Sequence, residues 1–196
     1  MASDVRDRYV PQSAPAGTRQ LDAASWRRLT DLYTPLIRRW VRTYVSQPTD
    51  GDDLLQDVLT TLVRELPRFE HSGRTGAFRA WLKSITVNRL REHWRTRRPA
   101  SGSDAVLEQL HQLEDPASDL SRAWDEEHDR HVAQTILDSI RLEFQPATWR
   151  AFEATVRDGR PAADVAAEMG SSVNAVLLAK SRILKRLRQL GAGLID

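Results

Sequence analysis

Residues 50–88 carry the run Asp50-Gly-Asp52-Asp53-Leu-Leu-Gln56-Asp57-Val58, then Arg68-Phe69, then Ala77-Phe-Arg-Ala-Trp81-Leu-Lys-Ser-Ile85-Thr-Val-Asn88. Leu54, Leu55, Val58, Leu59, Leu62, Val63 and Leu66 recur at helical steps and predict an amphipathic helix. At about 100° per residue, Asp53, Gln56, Asp57, Thr60 and Arg64 fall together on the opposite face, acidic at its N-terminal end. Pro67, Phe69, Gly73 and Gly76 mark a loop. The next helix places Phe78, Trp81, Leu82 and Ile85 on one side and ends in a basic run, Arg89, Arg91, Arg95, Arg97 and Arg98, before Pro99.

Before this stretch, residues 1–20 hold Pro11, Pro15 and Gly17 without an apolar period and read as a disordered tail. From Asp22, the spacing of Trp26, Leu29, Leu32, Leu36, Trp40 and Tyr44 predicts a helix, with a bend or break expected just before Pro35. Gln47 to Gly51 is turn chemistry, and Thr49, Asp50 or Asp52 could cap the following helix. Beyond Pro99, residues 99–130 contain nine Asp or Glu against two Arg, with Ser-Gly-Ser and Asp-Pro, and read as an acidic linker. Helical period returns at Val132, Ile136, Ile140 and Phe144, then from Pro146 through Trp149, Phe152 and Val156. Two short amphipathic helices follow, from Ala162 to Met169 and from Ser172 to Leu190, joined through Gly170. No β-period of any length is present. The fold class is all-α: two small helical domains, 21–98 and 131–196, joined by the acidic linker.

The 196 residues are 40% hydrophobic and 29% charged, ordinary for a soluble protein, and the net charge of +2 is too small to argue for a nucleic-acid partner. That argument has to come from where the cations cluster. The absence of cysteine excludes disulfides and thiolate chemistry. Without an apolar run of membrane length or a signal peptide, the expected location is cytoplasmic, with no membrane insertion.

Near the C-terminus, Ala166, Gly170 and Val176 have the separations of a helix-turn-helix: a small residue where the helices cross, one tolerating positive φ in the turn, and an apolar residue packing back. Ser171 or Ser172 can cap the second helix. Its wheel sends Val173, Val176, Leu177, Leu184 and Leu187 inward, with Lys180 an anomaly among them. Asn174, Ala175, Leu178, Arg182 and Lys185 point outward. That outer face, with Arg186, suits a major groove: polar groups for base edges, cations for phosphates, Leu178 for a thymine methyl. A helical hairpin with a solvated basic face fits the same spacing.

The acidic helix face also has more than one reading. Asp50, Asp52 and Asp53 favour a helix N-terminus. Asp52, Asp53 and Asp57 resemble the magnesium motif of all-α terpene synthases, although the second ligand set and large cavity such enzymes need are not visible. A third reading is a face that docks a basic protein. Phe69, Phe78, Trp81, Asn88, Arg89, Arg91, Trp94 and Arg95 interleave aromatics with cations and an amide, as single-strand nucleic-acid binders do. Phe78 shares its face with Leu82 and Ile85 and is assigned to the core. His128 and His131 beside Glu127 have a metal-ligand spacing but lie in an acidic segment. No cofactor, no metal and no enzyme activity are expected.

Taken together, Asp52-Asp-Leu-Leu-Gln-Asp-Val58, Arg68-Phe69, the Phe78-x-x-Trp81-Leu-x-x-Ile85-x-x-Asn88 pattern and Arg97-Arg98-Pro99 resemble conserved region 2 of bacterial extracytoplasmic-function sigma factors of the sigma-70 family. Ala163 to Leu190 resembles their region 4. The resemblance implies that Asp52, Asp53, Gln56 and Asp57 dock on the coiled coil of the RNA polymerase β′ subunit. It implies that Phe69, Trp81, Asn88, Arg89, Arg91 and Arg95 recognise and melt the promoter minus-10 element. Ser172, Asn174, Ala175, Leu178, Arg182, Lys185 and Arg186 would read the minus-35 element, beside the β flap. Core RNA polymerase, promoter DNA and an anti-sigma factor are the partners it implies, and the linker would thread toward the polymerase cleft. Leu177-Leu178-Ala179 departs from the Lys-Ser-Arg common early in the family's recognition helix. The rival class is a helix-turn-helix regulator with an N-terminal sensing or dimerisation bundle.

Overall fold

The computed structural model describes residues 23–70, 72–74, 76–96 and 103–192, and the sequence readings of a tail over 1–20 and of the basic run's end at 97–99 lie outside them. Eight α-helices and no β-strand occur among the described residues, so the chain is all-α. It divides into two compact units, one ending at Val132 and the other beginning at Ala133.

In the first unit, α1 (Ala23–Tyr44) packs on α2 (Pro48–Glu65), α2 on α3 (Ala77–Thr96), and α3 on α4 (Ser103–Glu114). Leu36, Ile37, Val41, Val58, Leu62 and Leu82 are completely buried among them. Burying each such side chain contributes about 1.5–3 kcal/mol, which makes this apolar seam the main term holding the helices together. α1 runs unbroken through Pro35. The proline removes the donor that would serve the carbonyl of Asp31, but Asp31 and Pro35 are exposed, within reach of water. The turn expected at 47–51 is shorter than read. Pro48 opens α2 at its first helical position, where its missing N–H would be unpaired anyway, and Gln47 precedes it without a side-chain cap.

The acidic segment differs from its reading as a linker. Its described part consists of α4 and the first half of α5 (Asp119–Ile140), and both are docked. Leu110 and Leu113 of α4 are buried, as are Trp124 and His128 of α5. Trp124 stacks on Trp40 of α1 with ring centroids 3.5 Å apart. Glu127 accepts hydrogen bonds from the Trp40 indole and from Arg39, each at 2.8 Å. Four of its acids, Glu114, Asp125, Glu127 and Asp129, therefore act on partners in α1 and α3.

The second unit holds α6 (Pro146–Phe152), which continues as a π turn over Glu153–Arg157, then α7 (Ala162–Glu168) and α8 (Val173–Gly191). Ala151, Val165, Ala166, Val176 and Ala179 form its buried cluster. The small side chains allow the three helices to approach closely. Gly170 has φ +60° in the α7–α8 turn, the left-handed conformation its position requires. Ser172 caps α8, its hydroxyl accepting from the Ala175 amide at 3.1 Å.

Candidate nucleic-acid and polymerase interface

The buried side of α2 is Leu54, Leu55, Val58 and Leu62, which leaves Asp52, Asp53, Gln56, Asp57 and Thr60 exposed. Asp52 lies 3.8 Å from the Arg38 guanidinium of α1. Asp53 and Asp57 have no ion-pair partner among the described residues, so two carboxylates one helical turn apart face solvent with their charge uncompensated. Burial pushes the His93 imidazole of α3 down, while the charge of Asp57 works to raise it. Such a surface is chemically suited to a basic protein partner.

α3 is buried on two sides. Phe78, Leu82 and Ile85 occupy one, and Lys83, Thr86, Val87 and Leu90 the other. The remaining stripe carries Trp81, Asn88 and Arg95, spaced seven residues apart at each step and thus nearly in line along the helix. Trp81 is half-buried, whereas Asn88 and Arg95 are exposed. Phe69 sits at the N-terminal end of this stripe, held by its amide donating to the Leu66 carbonyl at 3.1 Å. Its ring lies 4.7 Å from that of Trp81 and meets Phe78 edge-on at 5.6 Å. Phe78 is core, and Phe69 and Trp81 form a half-buried aromatic pair on it. An exposed amide and cation beside an aromatic pair can hold an unstacked base and the backbone next to it.

Most α3 cations are paired. Arg79 bonds to Asp129 and lies 3.4 Å from Asp125. Lys83 reaches Asp125 at 2.8 Å and donates to the Ser121 hydroxyl at 2.6 Å, with its ammonium 5.1 Å from the centre of the Trp124 ring. Arg89 pairs with Glu92 and Arg91 with Glu114, at 2.8 and 2.7 Å. The hydrogen bond lowers the pKa of Glu114 and raises that of Arg91. Charge patterning along one helix could not show these pairs, because each acid except Glu92 comes from α4 or α5.

On α8, Val176, Ala179 and Ile183 are buried, which corrects the inward set read from the wheel: Val173 and Leu177 are 44% and 50% exposed. Asn174, Ala175, Leu178, Arg182 and Lys185 are exposed together, and Lys180 is half-buried on the flank. Arg186 is bound bidentately by Glu143 at 2.8 and 3.0 Å. The α7–α8 pair thus presents an amide and two cations with no ion-pair partner among the described residues, Arg182 and Lys185. Among those residues no group of three or more His, Asp or Glu is arranged to hold a metal. His128 and His131 point elsewhere: the first is enclosed between rings, and the second meets the Leu32 carbonyl at 2.7 Å. No helix among the described residues is long and apolar enough to cross a membrane.

Residues 29–99, which hold the acidic helix and the aromatic and amide-bearing helix beside it, match the sigma-70 region 2 family. The ECF RNA polymerase sigma factor SigD of Mycobacterium tuberculosis and that of Mycobacterium bovis are each 27% identical to this chain over 177 residues, covering 85% of it and 77% of their own length. The family match is carried by residues 29–99, and over most of its length the chain is similar to extracytoplasmic-function sigma factors.

Proposed function

We propose that this protein is a sigma factor that binds core RNA polymerase, directs it to promoters and assists their opening, without catalytic activity of its own. The observation that carries the reading is the pair of surfaces within residues 29–99: uncompensated Asp53 and Asp57 on α2, and the Phe69–Trp81–Asn88–Arg95 stripe on α3. On this reading Asp52, Asp53, Gln56 and Asp57 meet the β′ coiled coil. Phe69, Trp81, Asn88 and Arg95 capture the opened minus-10 strand, with Arg89 and Arg91 at the edges. Unstacking a base costs a few kcal/mol, which stacking on an aromatic pair and hydrogen bonding to Asn88 offset. The face of α8 running from Ser172 through Asn174, Ala175, Leu178, Arg182 and Lys185, with Arg186 beside it, reads the minus-35 duplex near the β flap. Joining the two readers in one chain raises the effective concentration of each at the other's site. An anti-sigma factor is a further partner for these faces, and the working location is the cytoplasm.

Run-off transcription with core polymerase, followed by start-site mapping, tests the reading. Promoter-specific starts that need the protein are expected. Reversing both Asp53→Arg and Asp57→Arg is expected to abolish core binding with helix content unchanged. Retained core affinity in that variant would remove the docking assignment. A tight operator complex formed without polymerase would instead favour a conventional regulator.

A further inference from the structure

The carboxylate of Glu114, at the C-terminal end of α4, holds the Arg91 guanidinium at 2.7 Å. Both side chains are partly open to solvent, 29% exposed for Arg91 and 44% for Glu114, so the pair lies at a surface and can exchange partners. Arg91 stands three residues after Asn88 and four before Arg95, on the flank of the stripe they form. A backbone phosphate following that stripe would come within reach of its guanidinium. Glu114 engages the Nη1 end of that guanidinium with the charge-assisted hydrogen bond a phosphate oxygen would otherwise make.

We propose that Glu114 is an internal competitor for the nucleic-acid backbone: by pairing with Arg91 it withholds that cation from phosphate and lowers the sequence-independent affinity of α3. The proposal rests on the reading of α3 as a strand-capturing surface. Phosphate contacts supply affinity without sequence information, whereas stacking and contacts to base edges carry it. Compensating one cation at the edge therefore lowers binding to all sequences equally, with the ratio between sequences still set by Phe69, Trp81 and Asn88. Arg79 and Lys83 are compensated in the same way by Asp125 and Asp129, but they are nearly buried and cannot exchange partners so easily.

The test is the salt dependence of binding of a mixed-sequence single-stranded oligonucleotide to the full chain. Glu114→Ala is expected to bind roughly fivefold tighter near 0.1 M salt, with a log–log slope steeper by about 0.7, the value for one added phosphate contact to a single strand. Arg91→Ala combined with Glu114→Ala is expected to return affinity and slope to the starting values. Because the double variant lacks the pair just as the single one does, this return excludes a merely loosened α4 as the cause. An unchanged slope in Glu114→Ala, or a gain that survives in the double variant, overturns the proposal. Run-off transcription by the unaltered chain reports separately on the sigma-factor reading, so the two can fail independently.

Discussion

His128 shows how a residue type can mislead where its position informs. Its side chain is completely buried, with the ring 5.7 Å from Tyr33 and 6.3 Å from Trp124 and Nδ1 2.9 Å from a carboxylate oxygen of Asp129. Nε2 has no hydrogen-bond partner. Burial pushes its pKa down, more than the nearby charges of Asp129 and Asp125 raise it, and Arg79 adds to the lowering. The unfolded chain therefore takes up the proton first. Stability is complete above the unfolded value near 6.5 and falls as pH drops below it toward the depressed folded value, by up to about 1.4 kcal/mol per pH unit in that window. Thermal unfolding at pH 7.5, 6.5 and 5.5 should show this loss, and His128→Phe should flatten it by filling the space with a ring that does not titrate. An equal pH dependence in both proteins would place the titrating group elsewhere. Read by type, His128 and His131 suggested a ligand pair. Read by position, His128 lies four residues from both Trp124 and Val132, which is a core signal.

That period of four extends through a whole element: Trp124, His128, Val132, Ile136 and Ile140 are all buried along α5. It was legible only from His131 onward, because before that point a tryptophan and a histidine hold the apolar positions among seven acids between Glu114 and Asp129. In helix α2 the Leu and Val stripe matches the buried side at Leu54, Leu55, Val58 and Leu62, whereas Val63 is 48% exposed and the first turn reads as a loop in the sequence. The orientation of α8 was harder to read. The wheel sends Val173 and Leu177 inward, whereas the buried face centres on Val176, Ala179 and Ile183, with Val176 and Ala179 in one cluster with Ala151, Val165 and Ala166. The turn before α8 was readable from Gly170 and its spacing from Ala166 and Val176. A Cβ there would meet nothing within 4 Å, so Gly170→Ala is opposed by backbone conformation and not by crowding. Chemical denaturation should show a loss of about 1–2 kcal/mol for Gly170→Ala, and less for Gly170→Asn, since asparagine enters the left-handed region more readily. Equal losses would mean that side-chain polarity in the turn, not φ, sets the cost.

At the scale of the chain, the α4–α5 segment decides how large the N-terminal module is. Composition placed a boundary at residue 98, since acids and turn residues begin there, and cross-element pairing is invisible to composition. The structure divides after Val132 instead, and the contacts on either side of 98 explain the difference. A fragment spanning 23–98 would expose the Trp40 face that Trp124 covers, lose the burial of Leu110 and Leu113, and leave Arg79, Lys83 and Arg91 without carboxylates. Each of the two leucines alone contributes about 1.5–3 kcal/mol, a large share of the 5–15 kcal/mol that typically separates folded from unfolded domains. The 23–132 fragment is therefore expected to unfold cooperatively with high helix content, while 23–98 melts lower by several kcal/mol or loses a single cooperative transition. Circular dichroism and urea titration of the two fragments distinguish these outcomes. Equal stability would show that α4 and α5 rest on the module without supporting it, and the effect of Glu114 on Arg91 would then have to arise from charge alone.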